Sequence, residues 1–149
     1  MARGPEAQRV LSVAFAARTV TKRYVAVVAG RLEAPPQTWG GIDLPLVCDW
    51  PNRPRQRVDR VHGKPSLTRW RVLGHDADST RVELEPVTGR SHQLRVHMCA
   101  LGHPILGDPL YASPAQRTQA PRLLLHACAL AFTHPATGVA LAFERPAPF

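Results

Sequence analysis

The chain has 149 residues, 44% of them hydrophobic, with 19 Lys and Arg against 11 Asp and Glu for a formal charge of +8. That length and apolar content fit one folded domain with a buried core and exclude a disordered tail, and no apolar run reaches the roughly 18–20 residues that a membrane-spanning helix requires. The basic excess is 17 Arg against two lysines, Lys22 and Lys64, and it points to a polyanionic partner, RNA or DNA, because Arg neutralises phosphates and releases their counterions.

The first 17 residues superficially resemble a short signal peptide, but Pro5 and Glu6 suit the first turn of a helix whose apolar residues Leu11, Ala14 and Phe15 recur at i, i+3, i+4. Residues 24–30 are apolar on both alternating faces, the pattern of a strand in the middle of a sheet, which needs neighbours on each side. Residues 31–65 hold six prolines and Gly40-Gly41, so this stretch reads as mostly loop, with a short extended piece at 44–48. Thr68, Trp70 and Val72 alternate with Arg69 and Arg71, and Val82 and Leu84 alternate with Arg81, Glu83 and Glu85, which describes a half-exposed hairpin turning at 75–80. Ser91 offers an N-cap for a short helix with Leu94, Met98 and Leu101 on its buried stripe and Gly102 at its end; Arg95 lies one step off that stripe. Residues 102–111 are turn-rich. A second hairpin follows, with a central strand at 123–132 and a return strand at 139–143. Elements in this order predict a single α+β domain, a mixed, mostly antiparallel sheet with flanking helices.

The densest polar cluster is Gly89-Arg90-Ser91-His92-Gln93-Leu94-Arg95-Val96-His97. His92, His97 and Cys99 make a poor metal set, since a five-residue spacing does not bring both rings to one helix face and no carboxylate is near in sequence. A Ser91–His92 nucleophile pair lacks the geometry that adjacency cannot supply. The plain alternative is a capped helix terminus with solvated Arg and His. A second basic run, Arg53, Arg55, Arg57 and Arg60 beside Trp50, has the alternation to follow successive phosphates with a stacking face at hand, or is simply a solvated basic loop. Cys48, Cys99 and Cys128 stand far apart with no CxxC, so neither a disulfide framework nor a zinc knuckle is indicated and a reducing cytoplasm is the simpler location.

Several linked motifs are specific enough to name a family. Lys22-Arg-Tyr-Val-Ala26, Asp43-Leu-Pro-Leu-Val-Cys-Asp-Trp-Pro-Asn-Arg-Pro54, Gly63-Lys-Pro65, Thr88-Gly-Arg-Ser-His-Gln-Leu-Arg-Val-His97, Gly102-His-Pro-Ile-Leu-Gly-Asp108, Tyr111-Ala-Ser-Pro114 and Arg122-Leu-Leu-Leu-His-Ala127 together resemble the C-terminal two thirds of the RluA-type RNA pseudouridine synthases. The resemblance implies an enzyme that breaks the uridine N-glycosidic bond, turns the base while it stays bound and rejoins it through carbon, with no metal or cofactor, on structured rRNA or tRNA loops. It also implies Tyr24 as the active-site tyrosine against the extruded base and a candidate for proton abstraction, and Arg95 as the arginine paired with the catalytic aspartate. Leu125 falls beneath the base, or is plain core, and Arg90, His92 and Gln93 fall where substrate contacts are useful; Arg53, Arg55 and Arg57 are candidate RNA contacts on the alternation of the basic run alone.

One departure matters. The family's nucleophile is the aspartate of a His-Arg-Leu-Asp motif, and none of the six aspartates here follows His-Arg-Leu. The resemblance therefore implies a partial catalytic domain lacking its N-terminal portion and inactive alone. The expectation is that the absent portion also supplies strands beside residues 24–30, leaving an unpaired edge, poor stability and an Arg95 without its carboxylate. A non-catalytic RNA-binding remnant, or one half of a split enzyme with an N-terminal partner fragment, are the competing readings.

Overall fold

The computed structural model describes residues 20–35, 38–133 and 137–149; the helix expected within the first 17 residues lies outside them. β1 (Thr21–Ala29), β2 (Gly40–Asp43), β3 (Leu46–Cys48), β4 (Gln56–Val58), β5 (Leu67–His75) and β6 (Ser79–Pro86) precede α1 (Gln93–Ala100) and α2 (Pro114–Thr118), and β7 (Leu125–Thr133) and β8 (Ala140–Glu144) close the order. Six strands form one sheet in the order β2-β5-β6-β1-β7-β8 with every pairing antiparallel. The α+β class with a mostly antiparallel sheet and flanking helices is what the sequence led one to expect.

β1 is interior, but its neighbours correct the expectation. Tyr24 lies opposite Leu84 of β6 on one side and Ala127 of β7 on the other, so both partner strands come from this chain. The premise of an unpaired central strand therefore does not hold: among the described residues the edges of the sheet are β2 and β8. β1 is also buried more completely on one face than the other. Ala26 and Val28 are wholly buried, with Val82, Leu84, Leu94, Met98 and Ile105 around them, whereas Val25 and Val27 are half-buried. β7 likewise sits inside the sheet with mostly half-buried side chains rather than cover on both faces.

The second face of the sheet is polar and self-satisfied. Glu83, opposite Val25 and Arg71, accepts from Arg23 at 3.0 Å and from Arg71 at 3.0 and 2.7 Å. Arg69 and Arg23 approach Glu85 at 3.4 and 3.6 Å, and the guanidinium groups of Arg69 and Arg71 stand 4.5 and 4.8 Å from the ring of Trp39. The hairpin expected to be half-exposed is on its β6 arm largely buried, because long arginine stems cover the strand while keeping their charged heads partnered.

Residues 31–65 are less loop than their prolines suggest. β2 extends the sheet beside β5, and β3 pairs with β4, Leu46 opposite Val58, in a separate two-stranded ribbon around the 3-10 turn Trp50–Asn52. Leu46 anchors the ribbon by packing with Val96 and Tyr111. α1 begins after His92, not Ser91: His92 has φ +54°, in the left-handed region, and neither side chain caps the helix. The helix ends at Ala100, and Gly102 just beyond it, φ +93°, turns the chain away as its sequence indicates.

Gly107 fixes how the loop after α1 meets the strand before β7. Its φ is +77°, and a Cβ there would lie 1.9 Å from the Arg122 carbonyl oxygen. Gly107→Ala should cost about 3 kcal/mol or more in urea unfolding, from backbone strain plus a clash with backbone that cannot rotate away. Gly138→Ala, at φ +71° with nothing within 4 Å, should cost about 1–2 kcal/mol.

Candidate functional site

β1 and the strand segment leading into β7 form one wall of an open cleft of about 380 Å³, and the first turn of α1 with the loop before it forms the other. Tyr24 and Leu125 lie on the sheet side, at positions that the β1–β7 register places near each other, since Tyr24 pairs Ala127 and Ala26 pairs Leu125. Arg90, His92, Gln93 and Arg95 lie on the helix side. Six of the residues singled out from the sequence thus share one cleft, with Lys22 and Thr88 also in its lining. The volume is that of a small-molecule site.

Arg95 is the anchor. Its Nε donates to Asp108 Oδ2 at 2.9 Å and an Nη to Oδ1 at 2.7 Å, a two-pronged pair, while Leu110 and Tyr111 backbone N–H groups also donate to Oδ1 at 2.9 and 3.2 Å. Asp108 is wholly buried. Burial alone would raise its carboxyl, but the hydrogen bonds from Arg95 and the backbone outweigh it and hold Asp108 below the usual carboxylate range. The same hydrogen bond to Asp108 raises Arg95 further. Arg95 is therefore not left without a carboxylate, contrary to expectation: a sequence pattern does not reveal that the turn at 108 folds under α1. Asp108 does not line the cleft, and both its oxygens are engaged, so it is a counter-ion and not an attacker.

Gln93 is buried with its amide fully used. Its oxygen accepts from Thr88 Oγ1 at 2.6 Å and the Arg90 N–H at 3.1 Å; its nitrogen donates to the Leu67 carbonyl and Thr68 Oγ1, both at 2.9 Å. It holds the loop rather than reaching outward. Tyr24 has a hydroxyl with no hydrogen-bond partner among the described residues, and burial raises its phenol above the ordinary value, so the cleft presents it as a neutral O–H. Burial, and then the Arg95 charge, lower His92.

The basic run does not join this cleft as one unit. Arg53 is exposed and stands 4.8 Å from the ring of Trp50, which is 64% exposed; Arg57 pairs with Asp59 at 3.1 Å; Arg55 turns inward to donate to the Leu110 carbonyl and faces the Tyr111 ring. Arg55 stands one residue before β4 and two from Arg57, so strand alternation would put both on one side and does not predict that Arg55 becomes a packing residue. Among the described residues no group of three His, Cys, Asp or Glu is placed to hold a metal ion, and His97 is wholly buried with both ring nitrogens bonded to Thr68 and Leu44.

Tyr111 was not singled out from the sequence. It is buried behind the cleft with the guanidinium groups of Arg55 and Arg95 at 5.1 and 5.2 Å from its ring. Its signal was the Tyr111-Ala-Ser-Pro114 motif, which helps carry the resemblance without assigning the tyrosine a role.

Asp108→Asn should cost about 3–5 kcal/mol, since it leaves a largely buried guanidinium without its charge partner. Because the folded Asp108 is held low, its contribution is complete above the unfolded carboxylate value near 4 and is lost as pH falls through the lowered folded value. Thermal melts of the wild type should therefore show an acid limb below about pH 4 that is reduced in the variant.

A family model described as RNA pseudouridylate synthase matches residues 1–100. Over 144 residues the chain is 56% identical to the dual-specificity RNA pseudouridine synthase RluA of Escherichia coli K12 and 51% identical to the protein of that name from Haemophilus influenzae. Each match covers 96% of this chain and 64% of the relative, so the chain spans somewhat less than two thirds of their length. Among solved structures, human RNA pseudouridylate synthase domain containing 1 superposes with a TM-score of 0.80 at 32% identity, over 98% of this chain and 62% of that one. Human RNA pseudouridylate synthase domain containing 4 gives 0.72 at 26% identity, over 97% and 64%.

Proposed function

The chain belongs to the RNA pseudouridylate synthase family, and on that premise we propose that its cleft receives a uridine turned out of an rRNA or tRNA loop and holds it for isomerisation to pseudouridine. The observation that carries this is the meeting of Tyr24, Arg95 and Leu125, far apart in sequence, around one opening of nucleoside-binding size. The isomerisation breaks the bond from ribose C1′ to N1, forms one from C1′ to C5, removes the proton on C5 and returns one to N1. Turning the base out costs a few kcal/mol, least where it is already unstacked in a loop. Leu125 and the neutral Tyr24 ring supply an apolar bed for the pyrimidine. Arg95, held at one edge by Asp108, has three further N–H groups, and these would aim an attacking carboxylate and keep it ionised.

That carboxylate is not in the cleft. No Asp or Glu lines it among the described residues, and the His-Arg-Leu-Asp motif is absent from these 149 residues. We assign the residues present to a partial catalytic domain that acts with a polypeptide carrying the motif, in the cytoplasm where rRNA and tRNA are at hand. The exposed Trp50 with Arg53 against it favours a second reading, an RNA-binding module without catalysis.

A tRNA stem-loop labelled with tritium at uridine C5 tests this, because bond formation at C5 releases the label into water. The chain alone should release none; mixing with a fragment bearing His-Arg-Leu-Asp should start release. Arg95→Lys, which cannot keep both the Asp108 fork and a second contact, should slow it on the order of 100-fold. Release by the chain alone would reveal a nucleophile of its own. Salt-sensitive RNA binding with no release in any mixture would favour the binding module, and no binding at low salt would remove both readings.

A further inference from the structure

His92 is the one non-glycine residue with positive φ among the described residues, at +54°, a conformation that β-carbon sterics disfavour and that persists only where surrounding contacts impose it. The contact is with Tyr111. The two rings meet edge to face, 5.7 Å between centroids and 81° between planes, and His92 Nδ1 lies 2.8 Å from the Tyr111 hydroxyl. That hydroxyl already accepts the Gln56 backbone N–H at 2.8 Å. Tyr111 is buried, so its own proton needs an acceptor, and among the described residues the one hydrogen-bonded to it that can accept is His92 Nδ1. An imidazole that accepts at Nδ1 and is neutral must carry its hydrogen on Nε2. Nε2 has no hydrogen-bond partner among the described residues, and the ring lines the cleft.

We propose that Tyr111 is a positioning residue that fixes His92 as the neutral Nε2–H tautomer, so that His92 presents a hydrogen-bond donor to an oxygen of the nucleotide bound in the cleft. Three features favour this arrangement. The Gln56 N–H, fixed at the start of β4, orients the hydroxyl lone pairs so that the O–H points to His92. The Arg55 and Arg95 guanidinium groups beside the Tyr111 ring polarise the phenol toward donation. Burial, and then the Arg95 charge, hold the imidazole neutral against the smaller opposite pull of Asp108, so that it donates one hydrogen bond without adding a second cation to a wall that Arg95 already makes positive. The ribbon of β3 and β4, which contributes no residue to the cleft lining, thus acts on the cleft through Gln56, Tyr111 and His92. The nucleotide as ligand rests on the function proposed above; the tautomer does not.

Two measurements keep those claims apart. In ¹⁵N NMR of the full chain labelled at histidine, His92 Nδ1 should appear as an unprotonated and Nε2 as a protonated ring nitrogen at neutral pH; Tyr111→Phe, which keeps the ring and deletes the hydroxyl, should move His92 toward the other tautomer or a mixture. An Nδ1–H or doubly protonated His92 in the wild type, or a tautomer unchanged in Tyr111→Phe, would overturn the proposal, and the wild-type spectrum decides even if the variant does not fold. Binding of uridine 5′-monophosphate by the full chain should weaken about five- to tenfold in Tyr111→Phe, the usual consequence of one misplaced neutral hydrogen bond. Equal weakening for uridine itself assigns the acceptor to the nucleoside; weakening for the monophosphate alone assigns it to the phosphate. Equal affinity in wild type and variant would overturn the donor role, and no binding of either ligand to a wild type with the stated tautomer would overturn the cleft reading instead.

Discussion

The bond between Arg95 and Asp108 is the constraint on which the cleft depends. A guanidinium on the first turns of a short helix has many rotamers, and a site needs one. Asp108 removes the choice, and the backbone removes the choice for Asp108. Val27 donates to the Leu124 carbonyl, Leu124 to Leu106 and Leu106 to Val27, at 3.1, 3.1 and 2.9 Å, so the segment before Asp108 is stitched to both β1 and the approach to β7. Gly107 then turns left-handed against Arg122, where no side chain would fit. The carboxylate that aims Arg95 is thereby tied to the strands that carry Tyr24 and Leu125, and the two walls of the cleft cannot drift apart independently.

The sheet divides its faces between two kinds of chemistry. One face holds the apolar cluster of Ala26, Val28, Val82 and Leu84 with α1 upon it. The other carries Arg23, Arg69 and Arg71 on Glu83, Glu85 and Trp39. Glu83 is buried, and its cost is offset by being held between two guanidinium groups. A basic chain thus pairs some of its arginines with its own acids, so net charge does not say which arginines are left to face a partner.

The sequence was most informative where the relevant contacts are local. The β5–β6 hairpin, the stripe of Leu94 and Met98, and the stop at Gly102 follow from spacing within a dozen residues. The second neighbour of β1 lies about a hundred residues further on, and apolar periodicity says that a strand needs partners without saying which. Ser91 was the expected cap, yet the demand of Gln93 and Tyr111 on their neighbours places the left-handed residue at His92 instead. Arg55, Arg57 and Arg53 looked alike in sequence; the Leu110 carbonyl, Asp59 and Trp50 separate them. Tyr24, Arg95 and Leu125 came from motifs rather than periodicity, and nothing in the spacing of either could have supplied Asp108 as the partner of Arg95.

A single backbone carbonyl beneath the cleft decides how its rim is oriented. The Leu44 oxygen can only accept, so His97 Nε2, 2.9 Å away, must carry the hydrogen. Burial lowers His97 and keeps the ring neutral, which makes Nδ1 an acceptor for the Thr68 hydroxyl at 2.7 Å. Having given its proton there, Thr68 must accept from the Gln93 amide nitrogen, and the amide oxygen is then forced toward Thr88 and the Arg90 N–H. Were the amide turned over, its nitrogen would face the Arg90 N–H at one end and its oxygen the Leu67 carbonyl at the other, donor against donor and acceptor against acceptor, at a cost of about 1–3 kcal/mol for each buried group left unpaired. Buried polar groups in a small core are expensive, and here each is satisfied in one direction only. The relay converts the fixed polarity of a strand end into a fixed position for the loop that bears Arg90 and His92, which it holds through the Arg90 backbone N–H.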